Sequence, residues 1–231
     1  MNTLLTTKTP AAEGATDSLR ITEVYASIQG ESTWAGVPCV FVRLARCPLR
    51  CTWCDTTYSF YGGETHPIDE VVNEATRHGI ACVEITGGEP LAQAGCTTLA
   101  QRLLDRGHTV LVETSGAYPI AVLPAAAIKI MDLKCPDSGE CARNLWDNLA
   151  ALDPRQDEVK FVLASRTDYE WARDVIRTHA LEQRCRAILL SPVFGRIEPR
   201  DIVAWMLADA LPARFQLQMH KFIWPPDQKG V

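Results

Sequence analysis

The chain has 231 residues, enough for one domain with an ample core or at most two small ones. Hydrophobic residues make up 47% and charged residues 22%, ordinary soluble usage, and a net charge of −5 argues against a nucleic-acid surface. The nine cysteines accompany no signal-peptide pattern and no apolar run of membrane-span length, which favours metal binding over disulfides and a cytoplasmic setting.

Residues 1–19 are small, polar and rich in Ala and Thr, and are expected to form a flexible arm ahead of a single domain over 20–231. Strands are expected at 21–28 and at 39–45, the latter a nearly continuous apolar run suited to burial on both faces. Residues 67–79 open with proline, place Ile68, Val71, Val72 and Ala75 on one face and stop at glycine, so they predict a helix. A strand at 81–86, a helix at 91–107 and a strand at 109–114 follow. Next come a strand at 126–133, a helix at 142–152, a strand at 157–164 and a helix at 166–181. The pattern closes with a strand at 186–193, a helix at 198–211 and a last strand at 213–220. This alternation implies βαβ units and a mostly parallel sheet. A chain of 231 residues is short for a complete eight-fold barrel. The expected fold is therefore α/β, a partial (β/α) barrel open at one side.

Between the second strand and the first helix lies RCPLRCTWCDTTYSF, in which Cys47, Cys51 and Cys54 read C-x3-C-x2-C. Structural zinc takes four protein ligands and a [4Fe-4S] cluster normally takes four cysteines. Three thiolates leave one iron of a cluster without a protein ligand, where a small molecule could be held. Cys51 and Cys54 alone could form a redox pair, but that leaves Cys47 without a role. Zinc would need a fourth ligand, and the nearest, Cys39, reads better as a buried strand cysteine.

In parallel barrels the chemistry gathers at the C-terminal strand ends. Here those ends carry residues 47–55, 86–89 and 113–116, then Asp132 with Lys134, Ser191 and His220. Single polar groups there could be caps or turn residues; six in succession on one rim suggest a site. In Thr86-Gly87-Gly88-Glu89-Pro90 the glycines would let backbone pass close to a ligand. A plain strand-to-helix turn is the competing reading. Asp55, Thr56 and Thr57 could cap the turn leaving the cysteine loop, or a hydroxyl there could serve Mg2+ beside water and an anionic substrate. Arg43 in an apolar strand is costly unless paired, so it reads as a salt bridge or as a binder of an acidic substrate. His220 could be a core histidine or, at a strand end, a ligand contact.

The cysteine loop, with Trp53 before its last cysteine, resembles the cluster loop of the radical S-adenosylmethionine (SAM) superfamily. Within it, SIQGES, FVRLARC, CPLRCTWCDTTY, TGGEP, VETSG, DLKCP, LLSPVF and HKFIW are similar to the 7-carboxy-7-deazaguanine synthase family, from about Ile21 to Trp224. The resemblance implies a partial barrel of the radical SAM type. It also implies conversion of 6-carboxy-5,6,7,8-tetrahydropterin to 7-carboxy-7-deazaguanine with loss of ammonia, in queuosine and deazapurine biosynthesis. Cys47, Cys51 and Cys54 would hold a [4Fe-4S] cluster. SAM would lie against Trp53, Cys54, Asp55 and Gly88, then Asp132, Leu133 and Lys134, and finally Ser191, Pro192, Val193 and Phe194. Ile28, Gln29, Gly30, Glu31, Arg43, Thr86, Glu113 and His220 would grip the pterin, and Thr56 would reach Mg2+. No catalytic side chain is implied beyond the cofactor. A homodimer and a flavodoxin-like or other reductant are implied, with no nucleic-acid or membrane partner. The competing functions are another radical SAM enzyme, such as a glycyl-radical activating enzyme, and a non-catalytic Fe-S sensor.

Overall fold

The computed structural model describes residues 17–231. Its strands are β1 (Ser18–Ile28), β2 (Pro38–Leu44), β3 (Glu64–Pro67), β4 (Cys82–Gly87), β5 (Thr109–Thr114), β6 (Ile128–Asp132), β7 (Glu158–Leu163), β8 (Ala187–Pro192) and β9 (Arg214–Phe215). They form one 9-stranded sheet in the order β3-β1-β2-β4-β5-β6-β7-β8-β9. From β2 onward every pairing is parallel, while β1 runs antiparallel to both β2 and β3. The sheet is thus a partial barrel with edges at β3 and β9. The short β3 was not anticipated, because Glu64–Pro67 is exposed or half-buried and carries no apolar pattern.

The outer face is covered by α1 (Ile68–Thr76), α2 (Gly95–Asp105), α3 (Arg166–His179) and α4 (Pro199–Ala208). α1 buries the four residues its periodicity selects, Ile68, Val71, Val72 and Ala75. α3 is capped by Ser165, whose hydroxyl accepts from the Asp168 N–H at 3.2 Å. The central strands are buried on both faces, which is why they read as continuous apolar runs.

Three expectations change. Residues 18 and 19 belong to β1, and Leu19 is buried, so the expected arm cannot extend to 19; its remainder, 1–16, lies outside the described residues. Residues 142–152 form no α-helix but the short 3-10 turns Cys141–Arg143 and Trp146–Ala150. The asparagines explain this: Asn144 bonds the Lys134 backbone, and Asn148 donates to the Gly116 and Tyr118 carbonyls while accepting from Ile120 N–H. Side-chain bonds to distant backbone here compete with a helical ladder. Finally, β9 ends at Phe215, and His220 begins the one-turn α5 (His220–Ile223) instead of ending a strand.

The chain leaves β9 to cross the open side toward β1. Gln216 accepts from Ser32 N–H at 2.7 Å, and the Met219 N–H donates to the Gly30 carbonyl at 2.8 Å. Inside the barrel, Cys39, Phe41, Cys82, Leu111, Ile128 and Ile130 pack as an apolar floor. By the two-residue strand period, the next inward positions up are Arg43, Glu84, Glu113, Asp132 and Lys160. A dry floor thus lies beneath a charged layer.

Candidate active site

A cavity of about 400 Å³ opens above that layer, within the usual range for small-molecule sites. One wall is the cysteine loop. Cys47, Cys51 and Cys54 are all free, half-buried and in contact with the cavity. Burial pushes the Cys47 thiol up to about 11 and raises that of Cys51 as well. Among the described residues no three His, Cys, Asp or Glu side chains converge on a point fit for a single metal ion. The connection after β6 secures the loop: Thr52 N–H donates to the Ser138 carbonyl at 3.1 Å, and Arg50 N–H to Glu140 at 2.6 Å. Cys39 and Cys82 lie in the floor, paired across β2 and β4, so Cys39 is the buried strand cysteine expected.

The two glycines of TGGEP pass against β2 and the root of the cysteine loop. A Cβ on Gly87 would meet the Leu44 carbonyl oxygen at 2.1 Å, and one on Gly88 the Arg46 carbonyl oxygen at 2.1 Å and Cys47 Cβ at 2.9 Å. Gly87 also has a φ of +138°, which disfavours any L side chain. Glu89, fully buried, accepts from Thr114 Oγ1 at 2.8 Å, Ser115 N–H at 2.7 Å and Leu91 N–H at 3.0 Å. It clasps TGGEP to VETSG, a role the sequence reading did not give it.

Every residue expected to grip the pterin lines the cavity: Ile28, Gln29, Gly30, Glu31, Arg43, Thr86, Glu113 and His220. Arg43 is also paired within the protein, donating to Glu23 at 2.7 Å and to Tyr25 Oη at 3.0 Å. Gly30 touches His220 so closely that a Cβ would sit 2.4 Å from its Nδ1. Burial, partly opposed by Glu31, lowers the His220 pKa from its ordinary value, so the ring is neutral at neutral pH. Burial alone would raise the Glu113 carboxyl, but the Lys160 ammonium outweighs it and holds Glu113 below the usual range.

Of the residues expected around SAM, Trp53, Cys54, Asp55, Gly88, Asp132, Lys134, Val193 and Phe194 line the cavity. Leu133 does not: its side chain is buried in the outer core. Ser191 and Pro192 are buried at the end of β8 outside the cavity wall, and Ser191 Oγ has no partner among the described residues. Asp55 is bonded to Lys221 at 2.9 Å. Burial raises its carboxyl, but that neighbouring charge wins and lowers it. Thr56 precedes the 3-10 turn Thr57–Ser59 without capping it through its hydroxyl, so side-chain capping is not its role. Its Oγ1 stands 3.7 Å from Cys54 Sγ.

Sequence reasoning missed Glu84, Lys160, Gln218 and Lys221, all in the cavity wall. Lys160, a lone cation in the apolar strand DEVKFVLA, carried the same signal as Arg43. The site fits an Fe-S cluster with SAM. Three free thiols share one wall, a Cβ would fill the glycine cradle, and Asp132 Oδ1 is buried with no partner among the described residues.

The radical SAM superfamily profile matches residues 42–190. The chain is 45% identical over 227 residues to the 7-carboxy-7-deazaguanine synthase of Koribacter versatilis (strain Ellin345), covering 92% of this chain and 100% of that one. It is 46% identical over 215 residues to the synthase of Chlorobaculum tepidum, covering 92% and 97% of the two chains. The crystal structure of QueE from Escherichia coli superposes with a TM-score of 0.73 at 24% identity, over 88% of this chain and 95% of that one, a likeness of fold. An open barrel whose strand-end loop offers three thiols to one cavity, matched by that profile, is a radical SAM enzyme, with a [4Fe-4S] cluster and SAM as cofactors. Within the superfamily, the chain belongs to the 7-carboxy-7-deazaguanine synthase family.

Proposed function

We propose that this enzyme converts 6-carboxy-5,6,7,8-tetrahydropterin to 7-carboxy-7-deazaguanine with loss of ammonia, a step of queuosine and deazapurine biosynthesis. The observation that carries the reading is the cavity itself, where the cysteine loop and all eight expected pterin contacts share one wall system. The 45% identity to a synthase matched over its whole length supports it.

When bound, the cluster and SAM supply one-electron reduction and hydrogen-atom abstraction. The chain's own work is to bind, orient and exclude water. Cys47, Cys51 and Cys54 hold the cluster. Trp53, Asp55, Gly88, Asp132, Lys134, Val193 and Phe194 line the SAM side. Arg43 faces the pterin carboxylate, and Glu31 and Glu113 accept from the N–H groups of its ring. Neutral His220 can donate one hydrogen bond and accept another at the ring edge without carrying charge. The Thr56 hydroxyl would help to hold Mg2+ beside water and the substrate carboxylate.

Residues 18–231 act as one domain, and family membership supports a homodimer fed by a flavodoxin-like or other one-electron donor. No helix among the described residues is long and apolar enough to cross a membrane, which is compatible with work in the cytoplasm. The test is anaerobic: reconstituted enzyme, SAM, reductant and the carboxypterin, with the deazaguanine sought by mass. SAM cleavage without that product would assign a different substrate. Iron loading without any SAM cleavage would leave a sensor.

A further inference from the structure

Lys160 lies in the middle of β7, 5% exposed, on the charged layer that floors the cavity. Its Nζ donates to Glu31 Oε2 at 2.8 Å and also to Glu113 Oε1. Among the described residues it is the only cation bonded to either carboxylate. The remaining oxygens are held more lightly: Gln218 donates to Glu31 Oε1 at 2.8 Å, and Thr86 Oγ1 lies 3.4 Å from Glu113 Oε2. Beneath them, fully buried Glu84 is bonded to Gln29, whose Oε1 accepts from the Glu31 N–H at 2.6 Å.

Carboxylates gathered in a dry site repel one another and either spread apart or take up protons. A cation bonded to both Glu31 and Glu113 draws them together and fixes them with lone pairs facing the cavity, and it holds the Glu113 carboxyl below the usual range. Such a pair suits a ligand with N–H donors along one edge, as an aminopyrimidinone has. Other nearby charges are committed elsewhere: Arg43 to Glu23, Lys134 to Asp132 at 2.7 Å and Lys221 to Asp55 at 2.9 Å. On β7 itself, Glu158 is bound to Thr33.

We infer that Lys160 is a positioning residue of the substrate site, which sets Glu31 and Glu113 as paired acceptors for the donor edge of the ring. The inference rests on the proposed pterin reaction. Lys160 need not touch substrate, because its effect is carried by the two carboxylates.

The test uses the full-length, cluster-loaded enzyme under anaerobic conditions, with dissociation constants for the carboxypterin and, separately, for SAM. Lys160→Met keeps the bulk of the side chain and removes its charge. It should weaken carboxypterin binding about 10- to 100-fold, as expected for loss of charge-assisted hydrogen bonds. SAM affinity and cluster content should hold within about twofold. The acid limb of carboxypterin binding should move to higher pH, since Glu113 loses the cation that holds its carboxyl low while Glu84, Asp132, Lys134 and His220 still act on it. Paired with Glu113→Gln, the double variant should bind no more weakly than the worse single one. Additive losses, an unmoved acid limb or a parallel loss of SAM affinity would each overturn the inference. If Lys160→Met fails to load a cluster, Lys160→Arg replaces it: the charge stays, the fork displaces both carboxylates, and carboxypterin affinity alone should fall. Unchanged affinity in that variant also overturns the inference. A wild-type enzyme that does not bind carboxypterin refutes the proposed reaction itself, a different result from equal binding by wild type and variant.

Discussion

Most side chains in this site are bonded within the protein, and that shapes what substitution will do. The three loop thiols are the exception, since each faces the cavity with no bond that the fold requires. Cys51→Ala should therefore lose the brown chromophore and all activity, because a cluster on two protein thiolates is labile. Cys39→Ala should keep both, since Cys39 sits in the apolar floor beside Cys82, away from the loop. Iron and sulfide analysis checks this, and iron retained by Cys51→Ala would refute the ligand set. Thr56 likewise has a free function, for its hydroxyl does not cap the following turn. A lone hydroxyl is a weak Mg2+ ligand, so metal dependence should appear only with substrate present. Thr56→Ala should raise the Mg2+ needed for turnover in chelator-treated enzyme, while Thr56→Ser should retain most of the response. Turnover indifferent to Mg2+ in the wild type would remove this role.

Between elements, the decisive contact is the docking of α5 against the end of β1. The Met219 N–H to Gly30 carbonyl bond at 2.8 Å brings His220 over Gly30, with no room for a Cβ between them. Gly30→Ala should push His220 and α5 outward. Carboxypterin affinity should fall by about tenfold or more if one buried polar contact is lost, while SAM affinity and cluster content stay near wild type. Equal loss of both affinities, measured by calorimetry, would show that the substitution damages the barrel instead. The same docking explains why the strand expected over 213–220 stops at Phe215. Its apolar-polar alternation is real, but Gln216 and Gln218 spend their side chains on Ser32 and Glu31 across the opening. Tertiary hydrogen bonds there outweigh strand propensity.

At the scale of the whole molecule, the barrel interior is layered: apolar floor, charged middle, cofactor rim. Buried titratable groups in such a middle layer make stability depend on pH. The His220 pKa is lowered in the fold, so the unfolded chain binds a proton that the native state refuses. Its share of stability is present above the unfolded value, near 6.5, and is lost as pH falls through the folded one. Glu84 acts in the opposite sense. Burial, reinforced by Glu113 and Glu31, raises its carboxyl well above the usual range, so its share is full below about pH 4.5 and fades as pH rises. Glu113 and Asp55, both lowered, lose their contributions only at more acid pH. Acidification from pH 7.5 to 5.5 should thus cost wild type more stability than His220→Gln. Urea midpoints at the two values check this, and parallel shifts in both proteins would exclude His220 as the titrating group.

Much of this was readable before any coordinates. The cysteine spacing, the glycines after β4 and the alternation of apolar runs are local patterns, and local chemistry dictates them: ligand number, backbone clearance, burial on two faces. They were enough to bring out the open barrel and the cluster loop, while the set of residues facing a small substrate came from the resemblance of SIQGES, TGGEP, VETSG and HKFIW to a known family. Other features depend on which distant segments meet. Asn144 and Asn148 unwind an expected helix because the Lys134 and Gly116 backbones need partners. Glu89 became a clasp because VETSG lies beside it, and Arg43 found Glu23 across the β1–β2 pair. Lys160 carried the signal of a lone cation in an apolar strand, but only the barrel decided that Glu31 and Glu113 are its partners. A charge's meaning lies in its neighbours, and in a sheet those neighbours come from strands far apart in the chain.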